Sequence, residues 1–222
     1  MKKKLIAELL GAFILVFAGT GAIIINDITN AIGHVGVALT FGFVIVALIY
    51  SFAHVSGAHF NPAVTIAFWS MGEFEGKNGI PYIAAQLVGG LLASLSLFLL
   101  LKENFVLVSE VSYLGATIPS GTASQSFGFE FILTFILMIV ICSSAIHGKA
   151  TKDFAGLAIG LTVGLESMFA GPITGASMNP ARSIAPALIS GNVEHLWIYI
   201  VATILGAVCA AVVFMKVFKS ND

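Results

Sequence analysis

The chain has 222 residues, of which 58% are hydrophobic and 9% are charged, whereas about a quarter of the residues in an average soluble domain are charged. Apolar stretches of the roughly 20 residues needed to cross a bilayer recur along it, so the composition excludes a soluble protein and predicts a helical membrane protein with several spans. The net charge of −1 gives no reason to expect a nucleic-acid partner.

In chain order, the hydrophobic pattern predicts an all-α membrane protein with six transmembrane spans and two shorter half-spans. The spans are predicted at about 4–25, 33–52, 81–101, 125–147, 153–170 and 195–217, with half-spans at about 62–71 and 180–189 and a longer polar loop at about 102–124. The lysine-rich start followed by an apolar run also fits a signal peptide. However, a similar segment recurs in the middle of the chain, which favours a span.

Each half-span begins with the same three residues. Asn61, Pro62 and Ala63 recur 118 residues later as Asn179, Pro180 and Ala181. Asn is a favoured N-cap, and Pro is favoured at the first helical position, where its missing N–H costs nothing. Two such starts in corresponding halves of a membrane protein predict a pair of half-helices that meet at a site near the middle of the bilayer.

Other residues repeat at similar offsets. Glu8 corresponds to Glu130 at an offset of 122, and Gly90 is paired with Gly206 at an offset of 116. The sequence therefore predicts one channel domain over 1–222, with a first repeat at about 1–101 and a second at about 125–222. Because each copy has three spans, the second copy must be inserted upside down, which makes an inverted repeat.

The distribution of basic residues predicts the orientation. If both termini are cytoplasmic, eight of the ten basic residues lie on the inner side, which is a strong positive-inside bias. These eight are Lys2, Lys3, Lys4, Lys77, Lys149, Lys152, Lys216 and Lys219. Lys102 is then expected outside, and Arg182 falls inside the second half-span.

The segments before the half-spans predict a pore. Residues 53–61 and 171–179 are expected to be non-helical backbone at membrane depth, which is tolerated only inside protein or along a water-filled cavity. The loop backbone expected to line the pore includes Gly57, Ala58, His59, Gly175 and Ser177. Helix N-termini carry about half a positive charge. The two half-span N-termini, together with the side-chain amides of Asn61 and Asn179, therefore predict a central site that binds water oxygens and repels cations.

Arg182 falls in the first turn of the second half-span, where a cation opposes the helix dipole. Placing a charged side chain inside the bilayer costs free energy, so such a residue usually has a function. The functional interpretation is a cationic donor at the outer constriction of the pore. The alternative is an arginine that extends along the helix to the membrane interface.

These motifs resemble those of the aquaporin and glycerol-channel family, the major intrinsic proteins, over the whole chain. The stretches 56–68 and 170–183 most resemble the nodulin-like branch and its bacterial relatives. The resemblance implies the aquaporin fold and a homotetramer with one pore per subunit. It also implies the known basis of cation exclusion in such channels, in which half-helix dipoles face the pore. Separately, the sequence has no nucleophile–base pair and no HExxH motif, and His54 and His59 lack a nearby third ligand, so we expect no enzymatic activity, metal or cofactor.

The resemblance also implies a four-residue selectivity filter at Phe41, Ser167, Ala176 and Arg182. Water-selective members usually carry His at the position of Ser167, and glycerol facilitators usually carry Asp at the position of Ser183 with more aromatic residues in the filter. This chain fits neither subgroup. We expect Phe41 to form an apolar wall opposite the Arg182 donors, with a wide opening between them.

Three acidic residues lie within the predicted spans. Glu8 and Glu130 are either proton relays or structural braces that accept hydrogen bonds from buried loop N–H groups, and the resemblance favours the brace. Glu166 lies beside Ser167 and is expected either to approach the outer mouth or to face a neighbouring helix.

The predicted function is a passive channel for water and small uncharged solutes, with glycerol, urea and metalloid hydroxides as candidates and with ions and protons excluded. The alternatives are a strictly water-selective channel, a secondary transporter and, less well supported, a structural junction protein. The expected location is a bacterial-type inner membrane or a plasma membrane, as a multi-pass protein with both termini in the cytoplasm.

Overall fold

The computed structural model describes residues 1–101 and 113–219. Lys102 and the first part of the predicted polar loop lie outside the described residues. Within them, the chain forms six long helices and two short ones: α1 (Lys2–Thr29), α2 (Gly33–Ser56), α3 (Pro62–Ser70), α4 (Gly76–Leu100), α5 (Ala123–Ile141), α6 (Ala155–Thr174), α7 (Pro180–Ser190) and α8 (Leu196–Val213). Single π-helical turns, Cys142–Ile146 and Phe214–Phe218, extend α5 and α8.

Six of these helices are long and apolar enough to cross a bilayer, and α3 and α7 are the two half-helices. The prediction of six spans and two half-spans is therefore confirmed, and the protein is a multi-pass integral membrane protein. Side chains cap the N-termini of α3, α5 and α7, and residues in the left-handed conformation end α1, α2, α6 and α7.

Non-helical backbone was predicted over 53–61 and 171–179, but both predicted segments begin four residues too early. Helix α2 continues to Ser56 and α6 continues to Thr174, so only 57–61 and 175–179 are non-helical. Gly57 and Gly175 end the two helices with φ angles of 89° and 82°. Glycine adopts this left-handed conformation without steric cost, so the helix stops there.

Pro172 lies in the last turn of α6 without breaking it. Proline has no N–H, so it cannot bond to the carbonyl four residues earlier. His34 Nε2 lies 2.7 Å from that carbonyl oxygen, on Met168. A side chain from the start of α2 thus supplies the hydrogen bond that Pro172 cannot make, and this helps α6 to remain helical up to Thr174.

The half-helices cross between the two repeats. Helix α3 of the first repeat packs mainly on α8 of the second, and α7 packs mainly on α4 of the first. Helices α2 and α6 pack closely along their lengths, because a side-chain carbon at Gly42 would lie 2.8 Å from the Gly160 carbonyl oxygen. The two repeats therefore share one core, with a half-helix of each inserted into the other.

The pairing of Gly90 with Gly206 was wrong by one residue. A Cβ on Gly89 would meet the Leu9 carbonyl on α1, and a Cβ on Gly206 would meet the corresponding Phe131 carbonyl on α5. Gly90 instead faces Ala185 on α7. Gly89 is therefore the structural equivalent of Gly206, and adjacent glycines in the sequence concealed this.

Candidate functional site

Two non-helical loops, 57–61 and 175–179, run to the N-termini of α3 and α7, which contact each other. Their backbones follow the same course: φ is positive at Gly57, Ala58 and Phe60 in one loop and at Gly175, Ala176 and Met178 in the other. A non-glycine residue in this region costs about 1–2 kcal/mol. Other contacts must therefore hold the loops in this shape.

Glu8 on α1 holds the first loop through four donors. Its Oε1 accepts from Ser56 Oγ at 2.7 Å and from the His59 N–H at 3.0 Å. Its Oε2 accepts from the Phe60 N–H and from Gln86 Nε2, both at 2.7 Å. The side chain is fully buried. A buried carboxylate is tolerated when it is hydrogen-bonded in this way.

Glu130 on α5 holds the second loop in the same manner with three donors. Its Oε1 accepts from Thr174 Oγ1 at 2.9 Å and from the Ser177 N–H at 2.8 Å. Its Oε2 accepts from the Met178 N–H at 2.9 Å. Because Gly89 matches Gly206, the residue that matches Gln86 in the second repeat is Thr203. The Thr203 hydroxyl donates to the Tyr199 carbonyl at 2.6 Å, so it does not act as a fourth donor to Glu130.

Asn61 and Asn179 join the two loops at the centre. Each side-chain oxygen caps its own half-helix, Asn61 Oδ1 at 2.9 Å from the Ala63 N–H and Asn179 Oδ1 at 3.0 Å from the Ala181 N–H, with Pro62 and Pro180 at the first helical positions. Because the oxygens accept from backbone N–H groups, the orientation of both amides is settled.

The amide nitrogens then cross to the opposite loop. Asn61 Nδ2 donates to the Met178 carbonyl at 2.7 Å, and Asn179 Nδ2 donates to the Phe60 carbonyl at 2.9 Å. Each NH₂ group keeps one further hydrogen, and both residues line the central cavity. The arrangement therefore leaves two N–H donors for a molecule at the centre.

Six other loop carbonyls have no partner among the described residues. In the described part of the chain, no hydrogen bond reaches the carbonyl oxygens of 57–59 or 175–177. Unpaired backbone groups at this depth require water or a polar solute. These six carbonyls thus offer acceptors on either side of the two asparagine donors.

A cavity of about 900 Å³ connects the loops to one side of the protein. We call this the lysine-rich side, because Lys4 and Lys152 line its mouth and Lys219 forms an ion pair with Glu73 there. The cavity wall includes Gly57, Ala58, His59, Ser177, Asn61 and Asn179, and it ends at Phe41, Ala176 and Arg182.

Arg182 stands at this end and is 2% exposed. Its Nη1 donates to the Gly115 carbonyl at 2.7 Å, and its Cζ lies over the Phe41 ring, 5.0 Å from the centroid. The expectation that Phe41 and Arg182 stand on opposite sides of the opening was wrong: they are neighbours in a cation–π contact. An arginine extended to the interface is also excluded by this burial.

Ser167 is buried on α6 and does not line the cavity. Ile159 and Val163 on the same helix do line the cavity. Ser167 lies one helical turn beyond Val163 and two beyond Ile159, so it is on the same face of α6. Ser167 therefore faces the same axis just past the point where the cavity narrows. Three of the four predicted filter residues meet at that point, and the fourth lies next to it along the axis.

Glu166 faces away from this axis. It is 2% exposed, and neither carboxyl oxygen has a hydrogen-bond partner among the described residues. It also does not line the cavity. Of the two expectations for Glu166, the structure favours contact with neighbouring helices over an approach to the outer mouth.

Sequence reasoning missed several partners of these residues. Gln86 on α4 bonds Glu8 and also lies 2.9 Å from Thr65 Oγ1. A glutamine within an apolar span is a signal that could have found it. Gly115, the partner of Arg182, lies in an irregular segment and has no such signal.

Comparisons with known proteins bear on this site. A family model described as Major intrinsic protein matches residues 1–214. Nodulin-26 of Glycine max is 45% identical over 213 residues, which cover 96% of this chain and 76% of nodulin-26. Aquaporin NIP1-2 of Arabidopsis thaliana is 45% identical over 217 residues, covering 97% and 74%.

A solved structure is also similar. The X-ray structure of the aquaglyceroporin from Plasmodium falciparum matches with a TM-score of 0.88 and 28% sequence identity, covering 97% of this chain and 96% of that one. The likeness therefore extends over the six spans and both half-helices.

Proposed function

The chain belongs to the major intrinsic protein family and is a channel for water and small neutral solutes, not an enzyme; we propose that its solutes include glycerol, urea and metalloid hydroxides. The observation that carries this proposal is the chemistry of the constriction. It combines one aromatic ring, Phe41, with a buried cation, Arg182, and two small residues, Ala176 and Ser167.

These four residues act as the selectivity filter in our proposal. Pore diameter and the donors and acceptors along it decide which solutes pass. Arg182 donates to a solute oxygen while the carbon skeleton of the solute contacts the part of the Phe41 ring that the guanidinium does not cover. Because Ser167 and Ala176 are small, the opening is wider than one that carries His and a second aromatic ring, and the Ser167 hydroxyl adds a donor or acceptor.

Ions and protons are excluded at two points in this proposal. The N-termini of α3 and α7 meet at Asn61 and Asn179, where each contributes about half a positive charge. Arg182 adds a full charge at the constriction. A cation there meets repulsion in addition to its dehydration cost, and in the described part of the chain no carboxylate lines this end of the cavity.

We further propose a homotetramer with one pore per subunit, as the family resemblance implies. The lysine-rich side is assigned to the cytoplasm on the positive-inside rule, which places both termini there. The membrane is then a bacterial-type inner membrane or a plasma membrane.

Stopped-flow light scattering on proteoliposomes tests the solute range, with empty liposomes and sucrose as controls. We expect water flux with a low activation energy, and glycerol, urea and a neutral metalloid hydroxide to enter at rates linear in their gradients. Saturable, ion-coupled flux would instead indicate a secondary transporter. Conduction of water with exclusion of all three solutes would indicate the strictly water-selective alternative.

A further inference from the structure

His59 lies in the first loop, and its imidazole lines the cavity on the lysine-rich side of the asparagine pair. Its Nδ1 is 3.1 Å from Thr65 Oγ1, a contact in which either atom can donate. Which nitrogen of a neutral imidazole carries the hydrogen decides what the other nitrogen can do. The contacts around Thr65 determine this.

The Thr65 hydroxyl has one hydrogen, which it donates to an acceptor other than His59. Thr65 Oγ1 lies 3.0 Å from the Asn61 carbonyl oxygen, which can only accept, so Thr65 donates there. Gln86 Nε2 lies 2.9 Å from the same hydroxyl and 2.7 Å from Glu8 Oε2. Because Glu8 is an acceptor of four donors, the NH₂ of Gln86 must face it, and Gln86 therefore also donates to Thr65.

Thr65 can then only accept from His59. The hydrogen of the imidazole is on Nδ1, and Nε2 carries a lone pair. Nε2 has no hydrogen-bond partner in the described residues, and it is not among their fully buried unpartnered side-chain atoms. It therefore reaches the cavity as an acceptor.

Neighbouring residues keep this acceptor in place and uncovered. The imidazole packs against Phe68 and Phe74 with centroids 4.9 Å apart and against Tyr82 at 5.3 Å, which holds its orientation. A Cβ on Gly57 would lie 3.4 Å from Nε2. The absence of a side chain at Gly57 thus leaves the lone pair accessible from the cavity.

The second repeat has no counterpart. Ser177 occupies the position of His59, but its hydroxyl is engaged within the protein, 3.0 Å from the Asn179 carbonyl and 2.6 Å from Ser183 Oγ. The side-chain acceptor is therefore present on one side of the centre, whereas Arg182 supplies its donors on the other.

We propose that His59 Nε2 is a specificity-determining acceptor that binds a hydroxyl or N–H donor of the passing solute, and so favours solutes with several donors, such as polyols, over water. The inference rests on the proposed conduction of such solutes. A water molecule needs little help at this point, because it can bond to loop carbonyls and to the next water. A solute that fills the pore loses its hydration and depends on the acceptors in the wall.

The test compares two variants in proteoliposomes. His59→Asn keeps an amide N–H near the Nδ1 position and loses the acceptor at Nε2, whereas the longer His59→Gln can place an amide oxygen near Nε2. We expect the ratio of glycerol to water permeability to fall about 2- to 10-fold in His59→Asn, the range for one hydrogen bond, and to recover in part in His59→Gln. The matched control His54→Asn, at an exposed position on the wide mouth, is expected to keep the ratio.

An unchanged or higher ratio in folded His59→Asn would overturn the proposal, as would an equal loss of water and glycerol flux in both variants, which indicates a structural role. A second measurement needs no variant: ¹⁵N NMR of the unmodified channel should show His59 Nε2 unprotonated and its signal shifted by glycerol. A protonated Nε2 would overturn the inference. If the unmodified channel passes none of the three solutes, the proposed solute range fails, while the protonation of Nε2 is still decided by NMR.

Discussion

Replacing the two buried glutamates tests their role in holding the loops, and the two sites are not equivalent. Each oxygen of Glu8 accepts one backbone N–H and one side-chain donor, from Ser56 or Gln86, so the new NH₂ group in Glu8→Gln removes two bonds to a charged acceptor in either orientation, and only the side-chain group can turn to accept from it. Among the described residues, Oε2 of Glu130 accepts only from the Met178 N–H, so the NH₂ group in Glu130→Gln opposes a single donor there.

A hydrogen bond to a charged acceptor contributes about 1.5–3 kcal/mol. Two lost bonds destabilise Glu8→Gln by about 3–6 kcal/mol, and one lost bond destabilises Glu130→Gln by about 1.5–3 kcal/mol. Since total stabilities are about 5–15 kcal/mol, we expect Glu8→Gln to lower the folded yield severely and Glu130→Gln to lower it moderately. Water flux per folded channel should change less than the yield in both.

The assay is the thermal midpoint of the purified channel in detergent, followed by size-exclusion chromatography, together with stopped-flow water permeability per folded channel. Glu194→Gln is the matched control, because Glu194 is exposed and its contact with His195 at 4.0 Å is a surface pair worth little. The reasoning is refuted if Glu130→Gln is as damaging as Glu8→Gln, or if either variant folds normally and conducts no water.

Two further variants test the constriction, and a third tests the buried carboxyl of Glu166. Arg182→Val should raise the leak of solutes before the leak of protons, because the half-helix dipoles remain. In the unmodified protein, a pH-sensitive dye should report no rapid proton entry; entry as fast as in gramicidin controls would contradict the proposed exclusion of protons. Ser167→His with Ala176→Cys should narrow the opening and suppress glycerol flux while sparing water, and undiminished glycerol flux would count against the filter assignment. Glu166→Leu removes a buried carboxyl without a described partner, so the thermal midpoint should hold or rise; a clear fall would reveal a partner that the described residues do not include.

The half-helices could be predicted because their signals are local. Asn61 and Pro62 are an N-cap and a first helical residue that any helix start would use, and the same holds for Asn179 and Pro180. The loops before them could be predicted less well. Their start depends on the left-handed conformation of Gly57 and Gly175. The residues just before these glycines fit either the end of a helix or a loop by composition.

The constriction could be predicted as a set of residues but not as a geometry. The family resemblance gave Phe41 and Arg182, yet the cation–π contact between them depends on how Gly115 anchors the guanidinium. Gly115 lies 67 residues away in the chain and has no local pattern. Long-range hydrogen bonds of this kind carry no periodicity, so sequence reasoning cannot find them.

The crossed bonds of Asn61 and Asn179 limit what the centre of the pore can select. Each amide donates one hydrogen to a carbonyl of the opposite loop, which fixes the positions of both side chains. The donors that remain at the centre are two equivalent N–H groups. Such a centre can orient any acceptor, water or polyol alike, and can repel any cation. Discrimination between neutral solutes must then come from residues that break the symmetry of the repeats. Arg182 and His59 do so from opposite sides, one as a donor and the other as an acceptor, which matches a solute whose hydroxyl groups both accept and donate.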